Sequence, residues 1–369
     1  MKLKQILFTM LALLVYSCNS GGNSNDGARN DKSSINGEVS TALIATLDEE
    51  EELLGVISSF AFVTKSSFVV STKGGAVVTY DLNGNRINSF SNIGTGPFEY
   101  LSPSKIKVYD KKIYVWCSQQ LKLIVFDLNG KPLEEYNRFS TAIKDFVVVN
   151  DELYFFMSGG SLYSLIEVYN LDSQEVIAYY GEEDRESEIL SMLTCSGGLA
   201  TRNGNIYFSS VGKLGIEKIQ NGAISMQKTI SDKEFEVKKL EDANYGRVRG
   251  DTEARVNYVN KNSYVGGIFV INDRLIIKAE VGEFVYEDVW DSKTWNTSDR
   301  FEKYFVLDED LNVIATYKRP FSFQCKNCLY AENGDDLFFL SEVENADGSD
   351  FQYQLNKLSF SLNTLSRTN

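Results

Sequence analysis

The chain has 369 residues, a formal net charge of -14 and no histidine, with 43% hydrophobic and 12% aromatic residues. That is enough apolar material for a large core, and it excludes general disorder. Without histidine there can be no Ser-His-Asp or Cys-His nucleophile system and no His-ligated metal or haem, and the acidic balance argues against a phosphate-neutralising nucleic-acid surface.

Met1-Lys2-Leu3-Lys4 is a short basic start, followed by the apolar run Ile6 to Val15 and then Tyr16-Ser17-Cys18. The run is too short to span a bilayer and fits the apolar part of an export signal. A small residue followed by Cys at the end of such a run resembles the lipobox of bacterial lipoproteins. That resemblance implies cleavage after residue 17 and a lipid on Cys18, which would anchor the chain to a membrane without spanning it. Residues 18–38 are rich in Asn, Ser, Gly and Asp and read as a flexible tether, leaving 39–369 as a single folded domain. The residues after Cys18 lack an acidic run resembling a surface-export signal, so the expected location is the outer membrane, facing the periplasm.

Beyond Val39, short apolar or aromatic runs alternate with Asn/Asp/Gly turns, the signature of many short strands. A hairpin repeats at 107–116, 146–155, 199–208, 269–277 and 329–339, with a weaker copy at 62–70. A second hairpin follows the first, clearest in Val77-Val-Thr-Tyr-Asp-Leu-Asn-Gly84 and Ile124-Val-Phe-Asp-Leu-Asn-Gly130. Asx-Gly pairs supply the positive φ that tight hairpin turns require. Two hairpins in each of six units predict an all-β fold, a six-bladed β-propeller of four-stranded antiparallel blades. The sixth unit ends with its fourth strand short or missing. The N-terminal strand 41–47 is therefore expected to complete that last blade, lying beside 352–361 and closing the ring.

Ile93-Gly-Thr-Gly-Pro-Phe-Glu-Tyr-Leu-Ser-Pro103 precedes the second unit. It resembles the Gly-x-Gly-Pro segment that opens repeats in NHL-type propellers, and is similar still more to the six-bladed propeller lipoproteins of Bacteroides-type bacteria. The resemblance is strong over 75–135 and implies fold and location more than mechanism. A phosphate loop is the competing reading of Gly94-Thr-Gly96, but the segment leads into a strand and no Gly-Lys-Ser/Thr follows.

In propellers, loops joining the second to third strands and loops joining blades share one face. Two long departures from the repeat map there. Residues 231–262 carry Arg247, Arg249 and Arg255 and are partly helix-like; residues 281–300 carry Phe284, Tyr286, Trp290 and Trp295. Aromatic platforms beside Arg suit a sugar ring or a peptide segment, with packed capping loops as the bland alternative. Cys325-Lys-Asn-Cys328 is a single CxxC without a second pair, so a metal site is not expected and a local disulfide is a candidate; Cys117 and Cys195 read as packed thiols. The acidic runs 48–52 and 181–186 lack the alternating ligand spacing of a calcium loop and read as solvated surface.

No catalytic residue and no cofactor is assigned. The expected function is an envelope-tethered binding module for a glycan or a protein, with no nucleic-acid partner. The alternatives are a histidine-free enzyme on carbohydrate or peptide and a structural subunit of an envelope complex.

Overall fold

The structure, a computed structural model, describes residues 35–47, 55–137, 139, 143–157, 164–193, 198–284, 299–321, 329–344 and 351–361. Strand β1 is Ile35–Thr46. Blade one is β2 (Ile57–Thr64), β3 (Ser67–Thr72), β4 (Val77–Asp81) and β5 (Arg86–Phe90). Blade two is β6 (Lys105–Tyr109), β7 (Lys112–Cys117), β8 (Lys122–Asp127) and β9 (Pro132–Tyr136). Blade three is β10 (Asp145–Val149), β11 (Glu152–Phe156), β12 (Ser164–Asn170) and β13 (Glu175–Glu182), followed by helix α1 (Arg185–Leu193). Blade four is β14 (Leu199–Arg202), β15 (Asn205–Phe208), β16 (Gly215–Gln220) and β17 (Ala223–Thr229). Helices α2 (Asp242–Gly250) and α3 (Thr252–Asn260) lead into blade five, β18 (Tyr264–Ile271), β19 (Arg274–Val281), β20 (Phe301–Leu307) and β21 (Val313–Pro320). Blade six contributes β22 (Leu329–Asn333), β23 (Asp336–Glu344) and β24 (Phe351–Phe360).

Each blade is a meander in chain order, and its first strand lies innermost. The six first strands touch in a cycle, β2 to β6, β10, β14, β18, β22 and back to β2. In blades two to five the turn between the first two strands places two successive residues at positive φ, as in Asn150-Asp151 (51° and 61°) and Asn203-Gly204 (52° and 73°). That is the backbone twist a two-residue hairpin needs, and Asn, Asp and Gly reach it at least cost. In the outer hairpins the Asp of Asp-Leu-Asn-Gly organises the turn itself. Asp81 Oδ1 accepts the amides of Asn83 and Asn85 at 2.8 and 2.9 Å, and Asp127 Oδ1 accepts those of Asn129 and Lys131 at 2.9 Å each.

The ring closes as the strand count requires. Antiparallel pairing of β1 with β24 runs from Val39↔Phe360 to Thr46↔Gln354, so the N-terminal strand is the fourth strand of blade six. The strand begins earlier than composition indicates, because Ile35 to Glu38 pair in parallel with Ala315 to Lys318 of β21. This stitch joins blades five and six into one eight-stranded sheet. The Ile57 amide donates to the Tyr353 hydroxyl at 3.0 Å, tying blade one to blade six.

The core is divided among the blade interfaces. An apolar cluster fills each contact between neighbours, including Ala45, Leu47, Phe60, Phe68, Phe338 and Leu355 at the closure. Between blades two and three, Trp116 is fully buried and packs on Phe139 and Phe155, with ring centroids at 5.1 and 5.7 Å.

One local reading changes. The acidic run 181–186 is not merely solvated surface: Asp184 caps α1, accepting the Ser187 amide at 2.8 Å, and pairs with Lys213 at 2.8 Å. The Gly94-Thr-Gly96 segment is filled by the chain's own carboxylate. Glu99 Oε2 accepts the Gly96 amide at 2.8 Å, and a Cβ on Gly94 would lie 2.0 Å from that oxygen. Lys122 donates to the Gly96 and Glu99 carbonyls at 3.0 and 3.1 Å. The segment is a locked connection between blades one and two, with no room for a phosphate.

Candidate functional site

The innermost strands of all six blades surround a central cavity of about 540 Å³. Because each first strand runs away from the face that carries the blade-to-blade connections, α1, α2, α3 and the described start of the β19–β20 connection, residues 282–284, gather over one mouth. Leu193 of α1, Val256, Val259 and Asn260 of α3, and Phe284 line the cavity there. Charged side chains lining it fall into two groups.

The first group lies on blade five. Arg300 is buried and donates to the carbonyls of Gly282 and Asn262 at 2.8 and 3.2 Å, while its other terminal nitrogen lies 3.4 Å from Glu280. Its guanidinium stands over the rings of Phe284 and Tyr264, at 4.5 and 5.1 Å from their centroids. Lys278 lies 3.3 Å from Glu280 and 3.1 Å from Glu302. Glu302 also accepts from Arg319 Nε at 2.7 Å and from the Tyr304 and Tyr330 hydroxyls at 2.9 and 2.8 Å. Burial works to raise the Glu302 pKa, but Lys278, Arg319 and the Tyr330 hydrogen bond outweigh it and bring it to about 2. Burial likewise works against the Lys278 ammonium, and Glu302 and Glu280 reverse that, leaving it above its ordinary value. Tyr264, donating to Glu280 Oε2 at 2.5 Å, is pushed well up, first by burial and then by that carboxylate. These groups satisfy one another, as buried charges must. Among the described residues, two buried donors here have no acceptor, Arg300 Nε and Asn260 Nδ2.

The second group is spread over blades two, three and six. Lys105 and Lys107 alternate along β6, which sets both toward the cavity. Both are paired to Asp145, the first residue of β10. Lys107 Nζ lies 3.0 and 3.2 Å from its two oxygens, and Lys105 Nζ lies 3.7 Å from the nearer one. Burial would raise the Asp145 pKa, but the two ammonium groups and the Phe146 amide hold it below the usual carboxylate range. Glu332 of β22 faces them across the cavity. Its side chain is exposed to the channel that it lines, and one oxygen accepts the Val270 amide. Desolvation pushes its pKa up to about 7, against the pull of Val270 and Lys107.

Of the residues that sequence selects, Phe284 lines the cavity; it is buried, with Phe321 edge-on at 5.0 Å. Arg247, Arg249 and Arg255 do not line it. Arg249 pairs with Glu188 of α1 at 3.2 Å, Arg255 donates to the Arg249 carbonyl, and Arg247 stands exposed on α2. Trp290, Trp295, Tyr286, Cys18, Cys325 and Cys328 lie outside the described residues. Cys117 is a buried free thiol, donating to Gln120 at 3.2 Å. Among the described residues no group of three or more Cys, Asp and Glu is arranged to hold a metal. Sequence reasoning passes over Lys105, Lys107, Asp145, Glu332 and Arg300. The one local signal was the Lys-x-Lys alternation on a strand, and nothing local says which strand ends face each other.

A protein of Bacteroides fragilis described as exported superimposes with a TM-score of 0.60 at 13% identity, covering 88% of this chain and 98% of its own. A DUF4221 family member from Bacteroides vulgatus superimposes with a TM-score of 0.59 at 12% identity, covering 87% and 98%. At such identities the likeness establishes the fold. No curated protein matches the sequence. The DUF5128 family, a 6-bladed beta-propeller family, matches residues 40–329. With the family spanning most of the chain and the six blades in place, this protein is a member of the DUF5128 family of six-bladed β-propellers.

Proposed function

We propose that the chain is an envelope-tethered binding module, held to the outer membrane through a lipid on Cys18, that recognises a glycan or a peptide segment at the mouth of its central channel. The observation that carries this reading is the cavity of about 540 Å³ lined by side chains from every blade beneath the helix-bearing face. Its size falls within the range of small-ligand sites, and its lining mixes aromatic rings with a few converging charged groups. The likeness to exported Bacteroides proteins is in keeping with an envelope or secreted location. Trp290, Trp295 and Tyr286, with Phe284, are the candidate stacking platform, and of the three candidate arginines Arg247, exposed on α2, is the one left to offer positive charge to a ligand.

The test is retention of the purified chain on glycan and peptide arrays. Binding that is lost in Trp290→Ala and Trp295→Ala supports the reading, and arrays on which wild type and variants behave alike refute it. Metabolic labelling with palmitate checks the tether: incorporation should disappear in Cys18→Ala.

A further inference from the structure

Lys105 is the observation that reaches furthest. Two ammonium groups share one carboxylate, and Lys105 holds the looser place, 3.7 Å from Asp145. Among the described residues it makes no hydrogen bond, although its ammonium has three N–H groups to donate. Its side chain is 21% exposed and that of Lys107 32% exposed, both to the channel. With Glu332 protonated, Lys105 and Lys107 against Asp145 carry surplus positive charge, inside a protein whose formal net charge is -14. Low-dielectric walls focus such a field within the channel.

We propose that the channel binds a small carboxylate-bearing ligand, a sugar acid or a short peptide, whose carboxylate is held by Lys105 and Lys107 while the Glu332 carboxyl contacts a second polar group. This rests on the binding reading above and names its ligand chemistry. A bound carboxylate would complete the hydrogen bonding of Lys105 and neutralise the surplus charge, whereas a cationic ligand would meet two ammonium groups. The cavity suits a ligand of one or two sugar or amino-acid units better than a macromolecule.

The arrangement also fixes how binding responds to pH. The charged groups facing Glu332 are Lys107 from β6 and Asp145 from β10, and β18 supplies the Val270 amide. The β2 segment Ile57–Thr64 contains no ionisable residue, and Asp336 follows on β23. A protonated Glu332 can donate to the ligand. An ionised one repels the ligand's carboxylate and competes for Lys107. Affinity should therefore fall as pH rises from 6 to 8, about the Glu332 pKa of about 7.

Titration calorimetry on the purified chain tests this with two matched pairs: digalacturonate against its dimethyl ester, and an N-acetylated dipeptide against its C-terminal amide. One acid should bind at least about tenfold more tightly than its neutral partner, as one charge-assisted hydrogen bond implies, and the responding pair identifies the source of the carboxylate. Lys105→Met should erase that preference and Lys105→Arg should keep it, each variant being first shown to melt like wild type. The acid-to-neutral comparison on wild type stands even if a variant fails to fold. Equal binding of acid and neutral partner overturns the proposal, as does binding of neither acid or a preference that survives Lys105→Met. Neutral partners that bind as well as the acids would sink the carboxylate reading alone; the wider binding reading stands or falls on the array experiment.

Discussion

Glu302 offers the sharpest test of what holds blade five to the closing strand. It is fully buried, 3.1 Å from Lys278 Nζ and 2.7 Å from Arg319 Nε, and Arg319 in turn donates to Thr41 of β1 at 3.2 Å. Glu302→Gln preserves shape and removes the charge that Lys278 and Arg319 both face, leaving Lys278 with Glu280 at 3.3 Å. Breaking a buried ion pair from one side costs about 3–5 kcal/mol, because a desolvated cation is left uncompensated. The carboxyl's own titration gives a similar figure: lowering its pKa from 4.5 to about 2 corresponds to about 3 kcal/mol of stability while it is ionised. Calorimetric melting at pH 7 should then fall by about 4–7 °C, since a domain of this length unfolds with an entropy of about 0.7 kcal/mol/K. The sign of the pH dependence follows from the depressed pKa. The contribution is whole above pH 4.5 and disappears as pH drops toward 2, so the gap between wild type and variant should close in acid. A loss below about 1 kcal/mol at pH 7, or a gap that persists at pH 2, would refute the reasoning.

Trp116→Ala should cost about 3–5 kcal/mol in urea unfolding, since it empties the interface shared with Phe139 and Phe155; a loss under about 1 kcal/mol would mean that the blades repack. Removing residues through Leu47 uncovers the β24 edge and takes Ala45 and Leu47 from the closure cluster. That protein should lose its single cooperative melt and aggregate on a sizing column, whereas an unchanged monomer would contradict closure by β1. Glu332 carries a raised pKa, so wild-type stability should decline as pH climbs from 4.5 through 7. The Glu332→Gln variant should show less of that decline across the same pH series, and identical profiles would remove Glu332 as its source.

Local chemistry made much of the fold legible. Asp-Leu-Asn-Gly and Asn-Asp turns act within four or five residues: Asp81 and Asp127 bond amides of their own turns, and paired positive φ values suit only a few residue types. The hairpin period follows from those turns. The closure was legible by counting, because a last unit short of one strand needs another from elsewhere and Thr41–Leu47 was unused. The helix α1 was not legible: its cap, Asp184, sits among acids that look like ordinary surface, and its apolar side matters only once Ile189 and Leu190 are buried.

The site was far less legible, for a physical reason. Sequence points to long loops rich in aromatics, yet Arg249 and Arg255 are bonded within the helical cap. Lys105, Asp145 and Glu332 sit on ordinary strands in three different blades, and each looks like a surface charge in its own segment. Only the ring brings them around one cavity, and only there does desolvation move Glu332 and leave Lys105 short of acceptors. The sequence by itself determined the blades, their number and the strand that shuts the ring, since turns and periodicity are short-range properties of the chain. The tertiary structure decided which charges face the channel, because strand ends far apart in sequence meet only when six sheets close into a circle.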